Sequence, residues 1–294
     1  MVLDLSLVGH ETEPEQVVIA ARDIRAFADA IGDTNTIFRD EAAAKEAGFA
    51  QIPVPPTFIT RLRVPFAEAG LDPLRSQILH GEQEYAYTRP LLSGDTVVGR
   101  HRIGAIKQSG RGDLAIMTLE QFVDELDGRR IATGKATLLV RSNTSAASAA
   151  GPNKARPAPA KSSDGSEEPT LRLVKHVTQE QIDAYADVSG DHNPIHINAE
   201  AARAVGLDGT IAHGMLNMAF VGQMLTDWLS RQPTGPAWVS RLRVRFQAMV
   251  RPNDTLDCYG RFSERRGPVQ TLDVWIRNQQ GEQVISGDAD AALP

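Results

Sequence analysis

Residues 189–196 read S-G-D-H-N-P-I-H and gather a carboxylate (Asp191), two imidazoles (His192 and His196) and a carboxamide (Asn193) in one short stretch. Gly190 and Pro194 forbid a regular helix through it. Asp191 and His196 are five residues apart on this irregular segment, a spacing that can turn both side chains toward one point. If both touch the same water at ~2.6–3.2 Å, they stand roughly 4–6 Å from one another. Such a pair can take a proton from water and return one to carbon. That is the chemistry of adding water across an α,β-unsaturated thioester, or of removing it. Either residue could be the acid. The reaction also needs a donor for the thioester oxygen, and I-A-H-G-M-L-N-M-A-F (211–220) supplies a candidate. Gly214 stands where a long apolar helix begins, with N–H groups unused by the helix and the positive end of its dipole. Glycine there lets a carbonyl approach the backbone, and a donor of this kind lowers a barrier by ~3–4 kcal/mol. Asn193 and Ser189 are supporting candidates. His213 either hydrogen-bonds the loop or lines the site.

These residues must be positioned by a unit that occurs twice. A-F-A-D-A-I-G-D-T-N-T-I-F (26–38) matches A-Y-A-D-V-S-G-D-H-N-P-I-H (184–196) at a shift of 158 positions, Asp33 falling on Asp191. Farther on, R-P-L-L-S-G-D-T (89–96) resembles V-R-P-N-D-T (250–255), and D-G-R-R-I-A-T-G (127–134) resembles Q-G-E-Q-V-I-S-G (280–287). Duplication accounts for this. Between the copies, 142–170 is small, Pro-containing and without large apolar side chains, which predicts a flexible linker between units 1–141 and 171–294.

In the second unit Thr178 and Gln181 make a capping-box signal for a short amphipathic helix through Ile182, Tyr185 and Val188. Asn198 caps another short helix, which Gly206 ends. The helix from about Gly214 to Leu229 is apolar nearly all round and should be buried. Four strand-like runs follow, at 237–250, 255–265, 268–278 and 282–293, with counterparts at roughly 77–90, 96–107, 113–126 and 129–141. A buried helix wrapped by a curved antiparallel sheet is the economical packing, an α+β hot-dog unit. Two units joined edge to edge give a double hot-dog fold and cover exposed strand edges.

The string Y-A-D-V-S-G-D-H-N-P-I-H-I-N-A-E-A-A resembles the signature of the MaoC-like (R)-specific enoyl-CoA hydratases. The resemblance implies that Asp191 and His196 are the catalytic pair, that Asn193 supports them by hydrogen bonding, and that Gly214 of His213-Gly214-Met215 is the oxyanion donor. The first half is similar to the degenerate dehydratase-like domain that precedes a MaoC domain in two-domain members. There His196 is replaced by Phe38, Pro194 by Thr36, and His213-Gly214 by Pro55-Pro56, so Asp33 lacks an imidazole partner and Pro56 lacks the N–H. One active site per chain is expected, with the first unit forming a pocket wall. His192 is a structural residue on this reading, since Thr34 holds its place in the first copy.

Composition narrows the classes of function. A net charge of −6 gives no basic footprint for nucleic acid. The single cysteine, Cys258, excludes an internal disulfide and suits a cytoplasmic protein; it reads as a half-buried strand thiol without a base beside it. No signal peptide is read at the N-terminus, and His213, Asn217, Gln223 and Asp227 interrupt the most apolar stretch, so no membrane span is expected. No H-x-x-x-H or H-E-x-x-H occurs on a helix, so no metal is expected, nor any cofactor beyond the coenzyme A or acyl carrier of the substrate itself. Arg241, Arg243 and Arg245 share one strand face, either solvated or holding a coenzyme A phosphate. Trp228, Trp238 and Trp275 are read as core or interface residues, and a homodimer is a possible assembly. A hot-dog thioesterase is the competing enzyme, but the only acid in 214–229 is Asp227, near the far end. A non-catalytic acyl-thioester-binding subunit is the competing non-enzyme.

Overall fold

The structure is a computed structural model describing residues 3–62, 76–110, 114–142, 168–232 and 235–294. The first unit runs β1 (Glu15–Val18), α1 (Ala21–Ala30), α2 (Glu41–Glu46), β2 (Ser76–Tyr87), β3 (Thr96–Gln108), β4 (Leu114–Glu125) and β5 (Arg130–Ser142). The second runs β6 (Leu171–His176), α3 (Gln179–Ser189), α4 (Pro194–Ile197), α5 (Ala199–Ala204), α6 (Gly214–Leu229), β7 (Trp238–Phe246), β8 (Thr255–Arg266), β9 (Val269–Asn278) and β10 (Gln283–Ala292).

The ten strands among the described residues form one antiparallel sheet in the order β1-β3-β4-β5-β2-β7-β10-β9-β8-β6. The order of the second half mirrors that of the first, so the internal repeat has become a pseudo-twofold arrangement. Its centre is the β2–β7 pairing, from Glu82↔Arg245 to Ala86↔Arg241. The double hot-dog fold is therefore realised with each unit's inner edge closed by the other. Each unit has a fifth strand that the sequence reading omits. β1 and β6 are short, and only every second side chain of β6 is even partly covered, which leaves a weak apolar signal. They pair with β3 and β8.

α6 is buried on nearly every side, including Leu216, Met218, Phe220, Val221 and Leu225, as its composition requires. It packs against β7 and β8 in the concavity of the second half-sheet. Among the described residues no helix is long and apolar enough to cross a membrane. The expected linker lies mostly outside the described residues: Ser142 closes β5, and the Thr170 N–H already bonds the Gly260 carbonyl. The first unit's counterpart of α6 is described only as a single 3-10 turn, Phe58–Arg61.

Candidate active site

The loop after α3 is built by local chemistry that both copies share. Gly190 closes α3 at φ +73°, and Gly32 stands at φ +63° in the first copy, the left-handed region that glycine enters without steric cost. Asp191 Oδ1 then accepts from Asn193 N–H at 3.3 Å, and Asn193 Oδ1 from Ile195 N–H at 3.4 Å. In the first copy Asp33 accepts from Asn35 N–H at 2.9 Å and Asn35 from Ile37 N–H at 3.2 Å. The repeated Asp-x-Asn is thus a turn that caps a short helix. Asn193 holds the loop. Ser189, buried, holds it too, its Oγ accepting from Asp191 N–H.

His196 is carried on α4 and buried at 8% exposure. Its Nδ1 lies 2.8 Å from the Ile211 carbonyl. A carbonyl can only accept, so Nδ1 carries a proton, and in the neutral ring Nε2 carries the lone pair. His213 is the N-terminal neighbour of α6, and its Nε2 is 2.9 Å from the Asp191 carbonyl; the same reasoning places the proton on Nε2. It both ties the loop to α6 and lies against the site, its ring 3.8 Å from that of His196 and 5.2 Å from that of Tyr185. Asp191, His196 and His213 each place a ligand-type atom within 4.8 Å of the others. That spacing admits a shared water, and its donor set would equally suit a divalent cation.

Gly214 opens α6 beside this cluster. A Cβ at Gly214 would come within 3.2 Å of the Phe246 ring, which would have to give by a few tenths of an ångström to admit it. Phe246 in turn packs on His80 of β2, ring centres 5.0 Å apart, which brings the first unit to the edge of the site. Sequence reasoning missed Phe246 and His80, and also the latch in which Gln179 Nε2 donates to the His196 carbonyl and Thr210 Oγ1 to Gln179 Oε1. These contacts join residues far apart in the chain, and no short motif signals them.

His192 stays outside, exposed and 3.2 Å from Asp187. The arginines of β7 have sheet partners: Arg241 binds Asp288 and Asp290, and Arg243 and Arg245 reach Glu82 across the seam. Their charge is thus already met by neighbouring strands. Cys258 is fully buried rather than half-buried, and burial pushes its thiol up to about 12. Asp227 is pushed above the usual carboxylate range, also by burial.

Residues 6–134 match the family model for the FAS1-like dehydratase domain region, and residues 162–282 that for the MaoC like domain. A UPF0336 protein of Thermobifida fusca is 37% identical over 147 residues, covering 48% of this chain and 95% of that protein. A solved MaoC-like dehydratase superposes with a TM-score of 0.78 at 19% identity, covering 98% of each chain. A Mycobacterium tuberculosis protein described as having a double hotdog fold gives 0.62 at 14% identity, covering 97% of this chain and 96% of that one.

Proposed function

Because the chain belongs to the MaoC-like dehydratase family in its two-domain form, we propose that it is a hydro-lyase acting on acyl thioesters. It adds water to a trans-2-enoyl-CoA, or the equivalent acyl-carrier thioester, to give the (R)-3-hydroxyacyl product, and catalyses the reverse. The observation that carries this is the placement of Asp191 and His196 within one cluster, with His196 locked by Ile211 in the tautomer that leaves Nε2 basic.

Asp191 and His196 hold one water between them. One of them takes a proton from that water as its oxygen attacks Cβ, and the same proton is returned to Cα on the same face, so the pair ends in the protonation state in which it began. The Gly214 N–H, at the positive end of α6, binds the thioester oxygen as it gains enolate character. Burial of His196 excludes competing solvent and strengthens these interactions. The mechanism needs no metal or redox cofactor, coenzyme A being part of the substrate. The second unit (171–294) carries the chemistry, and the first (1–141) forms a wall of the pocket through His80 and β2. The single buried thiol suits action in the cytoplasm.

The test is a panel of enoyl-CoA substrates followed by loss of the enoyl absorbance. Asp191→Asn and His196→Ala should each lower kcat by ~10²–10⁴ while circular dichroism is unchanged. Undiminished turnover in either variant overturns the assignment. Release of thiol from saturated acyl-CoA without hydration would favour the thioesterase instead.

A further inference from the structure

His196 is held by a circuit of contacts that closes away from the imidazole. Its Nδ1 meets the Ile211 carbonyl at 2.8 Å, and the Ile211 N–H donates back to the Ile195 carbonyl at 3.2 Å. Gln179, the first residue of α3, joins the two sides. Its Nε2 donates to the His196 carbonyl at 2.9 Å, and its Oε1 accepts from the Thr210 hydroxyl at 2.5 Å. The carboxamide cannot turn over without loss. Nε2 also donates to Asp183 Oδ1 at 2.7 Å, and a carbonyl and a carboxylate can only accept, so the amide oxygen faces Thr210. One side chain thereby ties the backbone that carries the imidazole to the neighbour of the carbonyl that fixes its proton.

The internal repeat supplies the control. The copies stay in register at the shift of 158 through this region: α1 starts at Ala21 and α3 at Gln179, and α2 (Glu41–Glu46) falls on α5 (Ala199–Ala204). Gln179 then corresponds to Ala21, Thr210 to Ile52 and Ile211 to Pro53. Neither Ala21 nor Ile52 has a polar side chain, and Pro53 has no N–H. The first copy nonetheless makes the same Asp-x-Asn turn and buries Phe38 in the place of His196. It ties its loop to α1 by another route, Arg25 Nε donating to the Arg39 carbonyl at 2.9 Å. The latch is thus dispensable for building the turn, and it is missing from the copy that has no imidazole to orient.

We propose that Gln179 and Thr210 are positioning residues for His196, holding the Ile211 carbonyl against Nδ1 so that Nε2 is kept for the reacting water. An imidazole without a fixed acceptor at Nδ1 shares its proton between both nitrogens, and only one of the two tautomers leaves Nε2 basic. The kinetic consequence rests on the hydro-lyase reading; the orientation of the ring does not.

Nitrogen-15 spectra of the histidine-labelled full chain, recorded with the ring neutral, separate a protonated ring nitrogen from one with a lone pair. His196 is assigned by the signals lost in His196→Ala. Wild type should carry the proton on Nδ1. In Gln179→Ala, which copies Ala21, the proton should move in part to Nε2, and kcat on an enoyl-CoA should fall about ten- to hundredfold with KM nearly unchanged. Thr210→Val should act in the same direction, and Thr210→Ser, which keeps the hydroxyl, should restore both spectrum and rate. That pair decides the proposal if Gln179→Ala does not fold. A smaller folded fraction would scale all signals together and leave the nitrogen pattern as it was. A wild-type His196 spectrum in Gln179→Ala or Thr210→Val overturns the proposal, as does a Thr210→Ser variant no better than Thr210→Val. If the wild-type chain hydrates no enoyl thioester, the hydro-lyase reading fails and the ring spectrum alone decides the latch.

Discussion

His196 and Phe38 occupy matching places in the two copies and both are buried, at 8% and 1% exposure. The turn that carries them is the same, made by Asp191 and Asn193 in one case and by Asp33 and Asn35 in the other. Burial and turn geometry therefore do not distinguish the two copies; the imidazole does. The same comparison suggests a test of Gly214. His213 already has an extended backbone (φ −59°, ψ 132°), which is what a following proline demands, and proline is tolerated at the first helical position. Gly214→Pro would reproduce the first copy's Pro56 and remove the N–H. Gly214→Ala adds the same Cβ against Phe246 but keeps the N–H. Steady-state kinetics should show Gly214→Pro slower than Gly214→Ala by ~10²–10³ in kcat, the worth of one oxyanion donor. Equal rates would remove Gly214 N–H from the mechanism.

At the level of elements, the third repeated motif, 127–134 and 280–287, has a structural meaning of its own. Gly134 and Gly287, the last residues of the matching segments 127–134 and 280–287, both lie in strands at points of close approach. A Cβ at Gly287 would lie 2.0 Å from the Arg243 carbonyl oxygen, and one at Gly134 would lie 2.8 Å from Gln121 Oε1. Backbone cannot yield as a side-chain end can. Gly287→Ala should destabilise the chain by about 3 kcal/mol, read from urea unfolding, because β10 must part from β7 to admit it. Gly134→Ala should cost less, since Gln121 and Tyr85 can shift. The helices were legible because their signals are local: Thr178 does accept from Gln181 N–H, and Asn198 from Glu200 and Ala201. β1 and β6 were not, because their pairing partners are distant in sequence.

At the scale of the whole molecule, the two units meet at more than the β2–β7 seam. Lys175 on β6 donates to the Ile31 carbonyl at 3.0 Å and the Gly32 carbonyl at 3.1 Å, and to Gln223 Oε1 on α6 at 3.0 Å. The first unit's vestigial loop is thereby held to the second unit's central helix. Asp33 is wholly buried there, and burial raises its carboxyl to about 6, outweighing the Asn35 N–H and the charges of Lys175 and Arg39; Asp227 adds to the rise. Burial lowers the Lys175 ammonium in turn. An acid whose folded pKa is raised favours the fold when protonated. That contribution is complete below about 4 and is lost as pH rises through about 6, by at most about 3 kcal/mol. Asp33→Asn should therefore be more stable than wild type at pH 8 and close to it at pH 4, measured by urea unfolding at both. A difference that is the same at the two pH values would show that Asp33 does not titrate in this range.

The sequence by itself determined the duplication, the helices and their caps, the apolar α6, and the identity of the residues that differ between copies. All of these rest on local periodicity, on spacing or on comparison of the chain with itself. Only the tertiary structure decided the fifth strand of each unit, the partners of Arg241, Arg243 and Arg245, the proton on His196 Nδ1, and the contacts of Phe246 with Gly214 and with His80. Each of those depends on which groups meet across the sheet and the seam, and a hydrogen bond or ring contact between distant residues leaves no periodic trace in the chain.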